Sequence, residues 1–137
     1  MRTNPRRLLF PHVSRLTFGV AVLAAVLLVV TGCGSSEFRS TQKRAQAGEA
    51  QAQLDLAQMY MYGKGTKQNE VEARKWCEKA ANQGLPVAQR IYGTMLRDAY
   101  GAEIRQIPKA REWLAKAAAQ GDAVAKMELD QTPEPPK

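Results

Sequence analysis

Few residues of this chain have the types and spacing that chemistry needs. The only histidine, His12, stands ahead of an apolar run, so once that leading segment is removed no imidazole remains for a metal site or a triad. Two cysteines are present, Cys33 just after the run and Cys77 far downstream. Cys77 sits where an equivalent stretch has Leu114, which makes it a small buried hydrophobe, with an intermolecular disulfide in an oxidising compartment as the alternative. Glu70, Glu72 and Glu78 offer carboxylates, yet they mix with Arg74, Lys75 and Lys79 at helical charge-pairing distances and read as a solvated face. The glycines of Tyr62 to Gly65 (YGKG) come after a helix-patterned stretch instead of a strand and lack a downstream Lys-Ser or Lys-Thr pair, so they are turn glycines and not a phosphate cradle. Trp76 and Trp113 occupy equivalent positions, which favours packing over a platform for nucleic-acid bases. No metal ligand set, cofactor motif or isolated acid pair is left over.

The charge of the chain has a simple origin. Its 137 residues carry 20 Lys and Arg against 13 Asp and Glu, a net +7, but Arg2, Arg6, Arg7 and Arg15 precede any acid. Without those four, 16 bases face 13 acids, and +3 is an ordinary surface that does not imply nucleic acid. The arginines lead into Leu16 to Val30, an unbroken apolar run of 15, the layout of an export signal. As a helix it would extend roughly 22 Å, short of the ~30 Å hydrocarbon core. A signal anchor is the alternative, because Thr31 to Ser36 lengthens the uncharged window. Both readings put residues 34–137 on the far side of the cytoplasmic membrane.

Internal similarity organises the remainder. Val71 to Gly84 set over Pro108 to Gly121 gives eight identities in fourteen positions at an offset of 37. Upstream, a pattern of Gly, Ala and an apolar residue at intervals of four occurs three times, as Gly48-Ala52-Leu56, Gly84-Ala88-Tyr92 and Gly121-Ala125-Leu129. Ala52, Leu56 and Tyr60 share one helical face with Ala45 and Met59, and Ala88, Tyr92, Met95 and Leu96 do so in the second copy. Trp76 with Ala73 and Ala80, and Trp113 with Ala117, supply the buried stripes of the partner helices. Asn69 and Asp122 are placed to cap helices, Gly84 suits a positive-φ terminus, and Pro86 and Pro108 fit first helical turns. Five helices result: an A and a B helix twice, then a lone A.

Two family resemblances rest on these residues. Val30-Thr31-Gly32-Cys33 resembles the bacterial lipobox, which implies cleavage before Cys33, diacylglycerol on its sulfur and a further acyl chain such as palmitate on its amine. Gly34, where an aspartate marks inner-membrane retention in many enteric lipoproteins, points, in a Gram-negative cell, to the outer membrane facing the periplasm. The span from about Ala45 to Leu129 is similar to Sel-one-like repeats, relatives of the tetratricopeptide repeat, through Ala52, Leu56, Ala57, Tyr60, Gly63, Gly65, Ala73, Trp76, Ala80, Ala81 and Gly84. The second copy departs from the pattern, with Ala99 for the first turn glycine and one extra residue before its B helix. That resemblance implies a right-handed superhelix that binds proteins or extended peptides and has no shared catalytic residues.

The expected protein is therefore all-α, a short right-handed α-solenoid of about two and a half helix-pair repeats. Its expected parts are a lipoprotein signal over 1–32, a lipidated Cys33 with a flexible tether over 33–43, repeats over 44–84 and 85–121, a partial repeat over 122–131 and a disordered tail over 132–137. The core positions are Ala52, Leu56, Tyr60, Trp76, Ala80, Ala88, Tyr92, Trp113 and Ala117. Outward-facing A-helix residues line the groove of a repeat solenoid, here Leu54, Gln58 and Met61, then Arg90, Thr94 and Arg97. Guanidinium groups there would favour an acidic or carboxylate-ended segment. The functional expectation is a membrane-anchored interaction module for an envelope protein or peptide, not an enzyme, and the alternative is an envelope enzyme acting on peptidoglycan or a related substrate.

Overall fold

The structure, a computed structural model, describes residues 36–134. The expected signal over 1–32, Cys33 with its lipid, and residues 135–137 lie outside the described residues. Six helical stretches and no strand occur among the described residues: α1 over residues 36–46, α2 Ala50–Tyr62, α3 Glu70–Asn82, α4 Pro86–Asp98, α5 Ile107–Ala119 and α6 Ala123–Gln131. None of them is long and apolar enough to cross a membrane.

Local chemistry sets the boundaries. The Asn69 side chain accepts from the Glu72 N–H at 3.1 Å and the Asp122 side chain from the Ala125 N–H at 3.0 Å, so both caps form as their residue types dictate. Gly63 ends α2 at φ 67°, a left-handed conformation that glycine enters without steric penalty. Ala99 ends α4 the same way at φ 58° and is the non-glycine residue with positive φ among the described residues. Helices α2, α4 and α6 are the A type, and α3 and α5 the B type. Each packs on its neighbours in sequence, and the core threads between them through Leu56, Ala57, Cys77, Ala81, Tyr92, Leu96 and Leu114. Gly93 is the closest crossing. A β-carbon there would lie 3.0 Å from Leu114 Cγ and 3.1 Å from the Ala110 carbonyl oxygen, so only a bare α-carbon lets α4 sit this near α5.

The segment expected to be a flexible tether is helical from residue 36 onward. Its few apolar residues fail to predict a helix because the partners are elsewhere. Phe38 meets Tyr60 edge-on with centroids 5.5 Å apart, and Thr41 and Ala45 are buried. At an offset of 36, Thr41, Ala45 and Gly48 match Cys77, Ala81 and Gly84, so α1 is a B helix, and Ala45 belongs to it rather than to the first A helix. The tail also departs from expectation. Thr132 is buried, its carbonyl and that of Leu129 accept from the Arg111 guanidinium, and Glu134 pairs with the same side chain. The several donors of one arginine thus hold residues that a proline-rich composition leaves loose.

A glutamine ladder runs between repeats. Gln53 Nε2 donates to the Ala45 carbonyl at 3.2 Å while its Oε1 accepts from Gln83 Nε2 at 2.7 Å. Gln89 does the same one repeat later, donating to the Ala81 carbonyl at 3.4 Å and accepting from Gln120 at 2.7 Å. Each rung joins the end of one B helix, the next A helix and the B helix after it, and satisfies amide groups that would otherwise be costly to bury.

Candidate functional site

The face built by successive A helices holds a cavity of about 210 Å³. Met61 of α2, Ile91 and Met95 of α4 and Tyr100 of the α4–α5 turn give it apolar walls, while Arg90, Thr94, Asp98 and Glu128 form its polar rim. The chain brings them together because residues 61, 91 and 95 lie on neighbouring A helices and the turn after α4 folds back along them. Beside it, Asp55, Gln58, Met59, Tyr62 and Lys64 line a second, more polar hollow of about 260 Å³.

The rim charges are paired with each other. Arg90 Nε lies 3.0 Å from Asp122 Oδ2 and its Nη1 lies 3.8 Å from Glu128 Oε1. Arg97 grips Asp98 with two nitrogens at 2.9 and 3.2 Å and reaches Glu128 at 4.0 Å. The Thr94 hydroxyl donates to Glu128 Oε2. Burial pushes the Asp122 carboxyl up, but the Ala125 N–H and the Arg90 guanidinium more than offset this and hold it below the usual carboxylate range. The hydrogen bond from Arg97 likewise holds Asp98 low. Neither arginine is therefore a free receptor for an acidic segment, since Asp122 and Glu128 already pair with Arg90 and Asp98 with Arg97.

Of the six residues expected to line a groove, Met61, Arg90 and Thr94 line the first cavity, Gln58 the second, and half-buried Arg97 borders the first through Glu128. Leu54 does not reach the surface. It is 3% exposed and belongs to the core. The expected core positions are buried except Tyr60, which is half-buried against Phe38. The structure adds Ile91, Met95, Asp98, Tyr100 and Glu128 to the groove. Sequence carries a signal for Glu128 alone, an acid on the third A helix facing two arginines of the second.

Elsewhere, Cys77 is a buried free thiol whose Sγ lies 3.5 Å from the Ala88 carbonyl, and burial pushes its pKa up to about 12. A thiol so held is a packing group. Lys79 and Lys116 lie 3.9 and 4.1 Å over the Trp76 and Trp113 rings, so both indoles are covered in the same way. Among the described residues no cluster of three or more His, Cys, Asp or Glu side chains is arranged to hold a metal ion.

Paired antiparallel helices, stacked at a 36 to 37 residue offset with a hollow on the A-helix face, define a helical-repeat solenoid of the kind that binds proteins. The chain belongs to the Sel1 repeat family, which matches residues 50–85 and 86–122. Among solved structures it is similar to a Sel1 repeat protein from Oxalobacter formigenes, with a TM-score of 0.64 and 36% identity over 68% of this chain and 69% of that one. It is also similar to a protective antigen present in uropathogenic Escherichia coli strains and displaying an SLR fold, with a TM-score of 0.68 and 34% identity over 71% of this chain and 21% of that one. A curated relative, an exopolysaccharide production negative regulator of Rhizobium leguminosarum bv. viciae, is 37% identical over 51 residues. Those residues are 37% of this chain and 19% of that protein, so the chain spans about a fifth of the relative's length. Sel1 repeat proteins are protein-interaction modules, and this chain has their all-α solenoid fold.

Proposed function

We propose that the chain is a non-catalytic interaction module of the bacterial envelope, tethered to a membrane by lipid on Cys33, that holds an extended peptide or protein segment along its A helices. The carrying observation is the cavity between Met61, Ile91, Met95 and Tyr100. An engineered apolar cavity of about 150 Å³ accepts benzene, whereas whole drug-sized ligands need about 300 Å³ or more. A hollow of about 210 Å³ thus suits one large apolar side chain of a longer partner. Its rim sets Arg90 and Arg97 against Asp98, Asp122 and Glu128, so both arginines are already paired and one negative charge is left over, and the partner is recognised by an apolar residue and not by an acidic one. The regulatory role of the Rhizobium relative is compatible with action by binding. The export-type leader and the Val-Thr-Gly-Cys sequence support the tether, with the outer membrane facing the periplasm as the location.

Photo-cross-linking in intact membranes tests the groove. Met61→Glu puts a charge on the cavity wall and should lose the partner captured by wild type, while Lys67→Glu, outside the cavity, should keep it. Unchanged capture by a folded Met61→Glu protein would remove the cavity from the site. Cys33→Ser should leave an unprocessed precursor without fatty-acid label, and turnover of an envelope substrate by the purified protein would replace the binding reading altogether.

A further inference from the structure

Six large apolar side chains are exposed among the described residues, and the three most exposed are Tyr62 at 75%, Ile104 at 74% and Val71 at 59%. Tyr62 ends α2, Val71 opens α3 and Ile104 lies in the α4–α5 turn, so all three sit on the edge where A helices hand over to B helices. The two turns of that edge touch. A β-carbon at Gly101 would come within 2.5 Å of the Glu70 carbonyl oxygen and 3.1 Å of the Val71 nitrogen, which places the second turn directly against the start of α3.

The same edge receives the chain. As a B helix, α1 begins where α3 and α5 begin, and Glu37 pairs with Lys64 of the first turn at 3.9 Å. Cys33 stands three residues before residue 36, and three extended residues span at most about 11 Å. Whatever membrane the leader or lipid engages is thus within one short reach of the start of α1 and the first turn it contacts, on the edge that also carries Tyr62, Val71 and Ile104. The charges of the turns and first helical turns here nearly balance, Arg39, Lys64, Lys67, Arg105 and Lys109 against Glu37, Glu70, Glu72 and Glu103, so the edge carries little electrostatic preference for anionic lipid. What it offers is a tyrosine and two branched aliphatic side chains, an amphipathic ring and apolar bulk suited to the headgroup boundary.

We propose that the edge formed by Tyr62, Val71 and Ile104 rests in the headgroup region of the membrane and orients the solenoid, with its A-helix groove running along the bilayer surface. This rests on the reading of Cys33 as a lipid anchor. The test uses the full chain carrying Tyr62→Cys, Val71→Cys or Ile104→Cys, with Ala47→Cys and Ala119→Cys on the opposite edge as controls, each nitroxide-labelled in phosphatidylcholine vesicles. Buried Cys77 stays unlabelled, and the parent chain without an added cysteine gives the signal of any unlipidated Cys33 to be subtracted. Collision with dissolved oxygen relative to a water-soluble nickel chelate should be severalfold higher at the three edge positions than at the two controls, and unchanged when phosphatidylglycerol is added. Edge nitroxides as aqueous as the controls would overturn the proposal, and so would edge nitroxides shielded from both quenchers, since a protein would then cover them. A fatty-acid analogue followed at Cys33 in the same preparations separates the two readings. Label on Cys33 with an aqueous edge leaves the anchor standing and removes the membrane-facing edge, and lipid-exposed nitroxides without that label keep the edge and remove the anchor.

Discussion

Ala99→Gly should stabilise this protein, against the usual rule that glycine weakens a helix end by loosening the unfolded chain. Ala99 sits at φ 58° and ψ 27°, where its β-carbon crowds the following carbonyl, and an L-residue with a side chain is disfavoured there by about 1–2 kcal/mol. Replacing it with glycine removes that strain but adds unfolded-state entropy worth about 0.4–1 kcal/mol. The strain is the larger quantity, so the net gain is about 0.5–1 kcal/mol, a rise in melting midpoint of roughly 3–6 °C for a domain of this size. The repeat contains its own control. Gly63 adopts φ 67° and ψ 28° at the equivalent end of α2, so Gly63→Ala should cost about as much as Ala99→Gly gains, or somewhat more. Thermal melts followed by circular dichroism at 222 nm on the three proteins read both shifts. An unchanged or lower midpoint for Ala99→Gly would show that the α4 terminus relaxes out of the left-handed region in solution and that the strain is not there to be released.

Gly101→Ala should be far worse than Gly63→Ala, because the added carbon meets the Glu70 backbone at 2.5 and 2.8 Å as well as a φ of 65°; a loss of about 3 kcal/mol is expected, and equal losses at 63 and 101 would deny the contact between the turn and α3. Arg90→Ala should loosen α6, since the Asp122 carboxylate, 11% exposed, loses its guanidinium partner and Glu128, 18% exposed, keeps only Thr94 and Arg97; a cost of about 1–2 kcal/mol is expected, read as faster amide hydrogen exchange across Ala123–Gln131. Asp122→Asn keeps the cap but not the charge. The native carboxyl titrates below its unfolded value, so its contribution is present above about pH 4 and is lost as pH falls through the lower folded value; wild type should melt above Asp122→Asn at pH 7 and the gap should narrow steadily as pH falls below about 4, while a constant gap would assign the effect to the cap alone.

Much of the fold can be read from local rules. Asn69, Asp122, Gly84 and the helix-opening prolines each act through bonds or dihedrals within a few residues, and the offset of 37 exposes the repeat without any structure. The groove is harder for a reason visible at one repeat position. Leu54, Arg90 and Met127 are equivalent by offsets of 36 and 37, yet Leu54 is enclosed in the core, Arg90 is half-covered and paired to α6, and Met127 is 54% exposed. Side-chain environment in a short solenoid depends on which neighbour comes next, and periodicity within one helix does not contain that. The same limit hides α1, whose Phe38, Thr41 and Ala45 stripe is meaningful only beside Tyr60 and Gln53.

The outer described helices carry polar residues where the inner ones carry packing residues. A repeat buries its face only against neighbours, so end helices need polar substitutes for packing residues. In α1 the positions equivalent to Trp76 and Ala80 are Ser40 and Arg44, both exposed, and Arg44 pairs with Glu49 at the turn into α2. In α6 the position that is Ala57 in α2 and Gly93 in α4, where close helix contact is required, is Asp130, and Lys126 replaces the ladder glutamines Gln53 and Gln89. Asp130 would oppose the near crossing that Gly93 permits, and Lys126 cannot accept the rung that Gln89 accepts from Gln120. The carboxylates of α6 instead turn toward the groove, where Asp122 and Glu128 neutralise Arg90 and Arg97. One helix thereby covers the last described repeat and occupies the arginines of the A-helix face, leaving the apolar walls of Met61, Ile91, Met95 and Tyr100 as the unpaired part of the cavity.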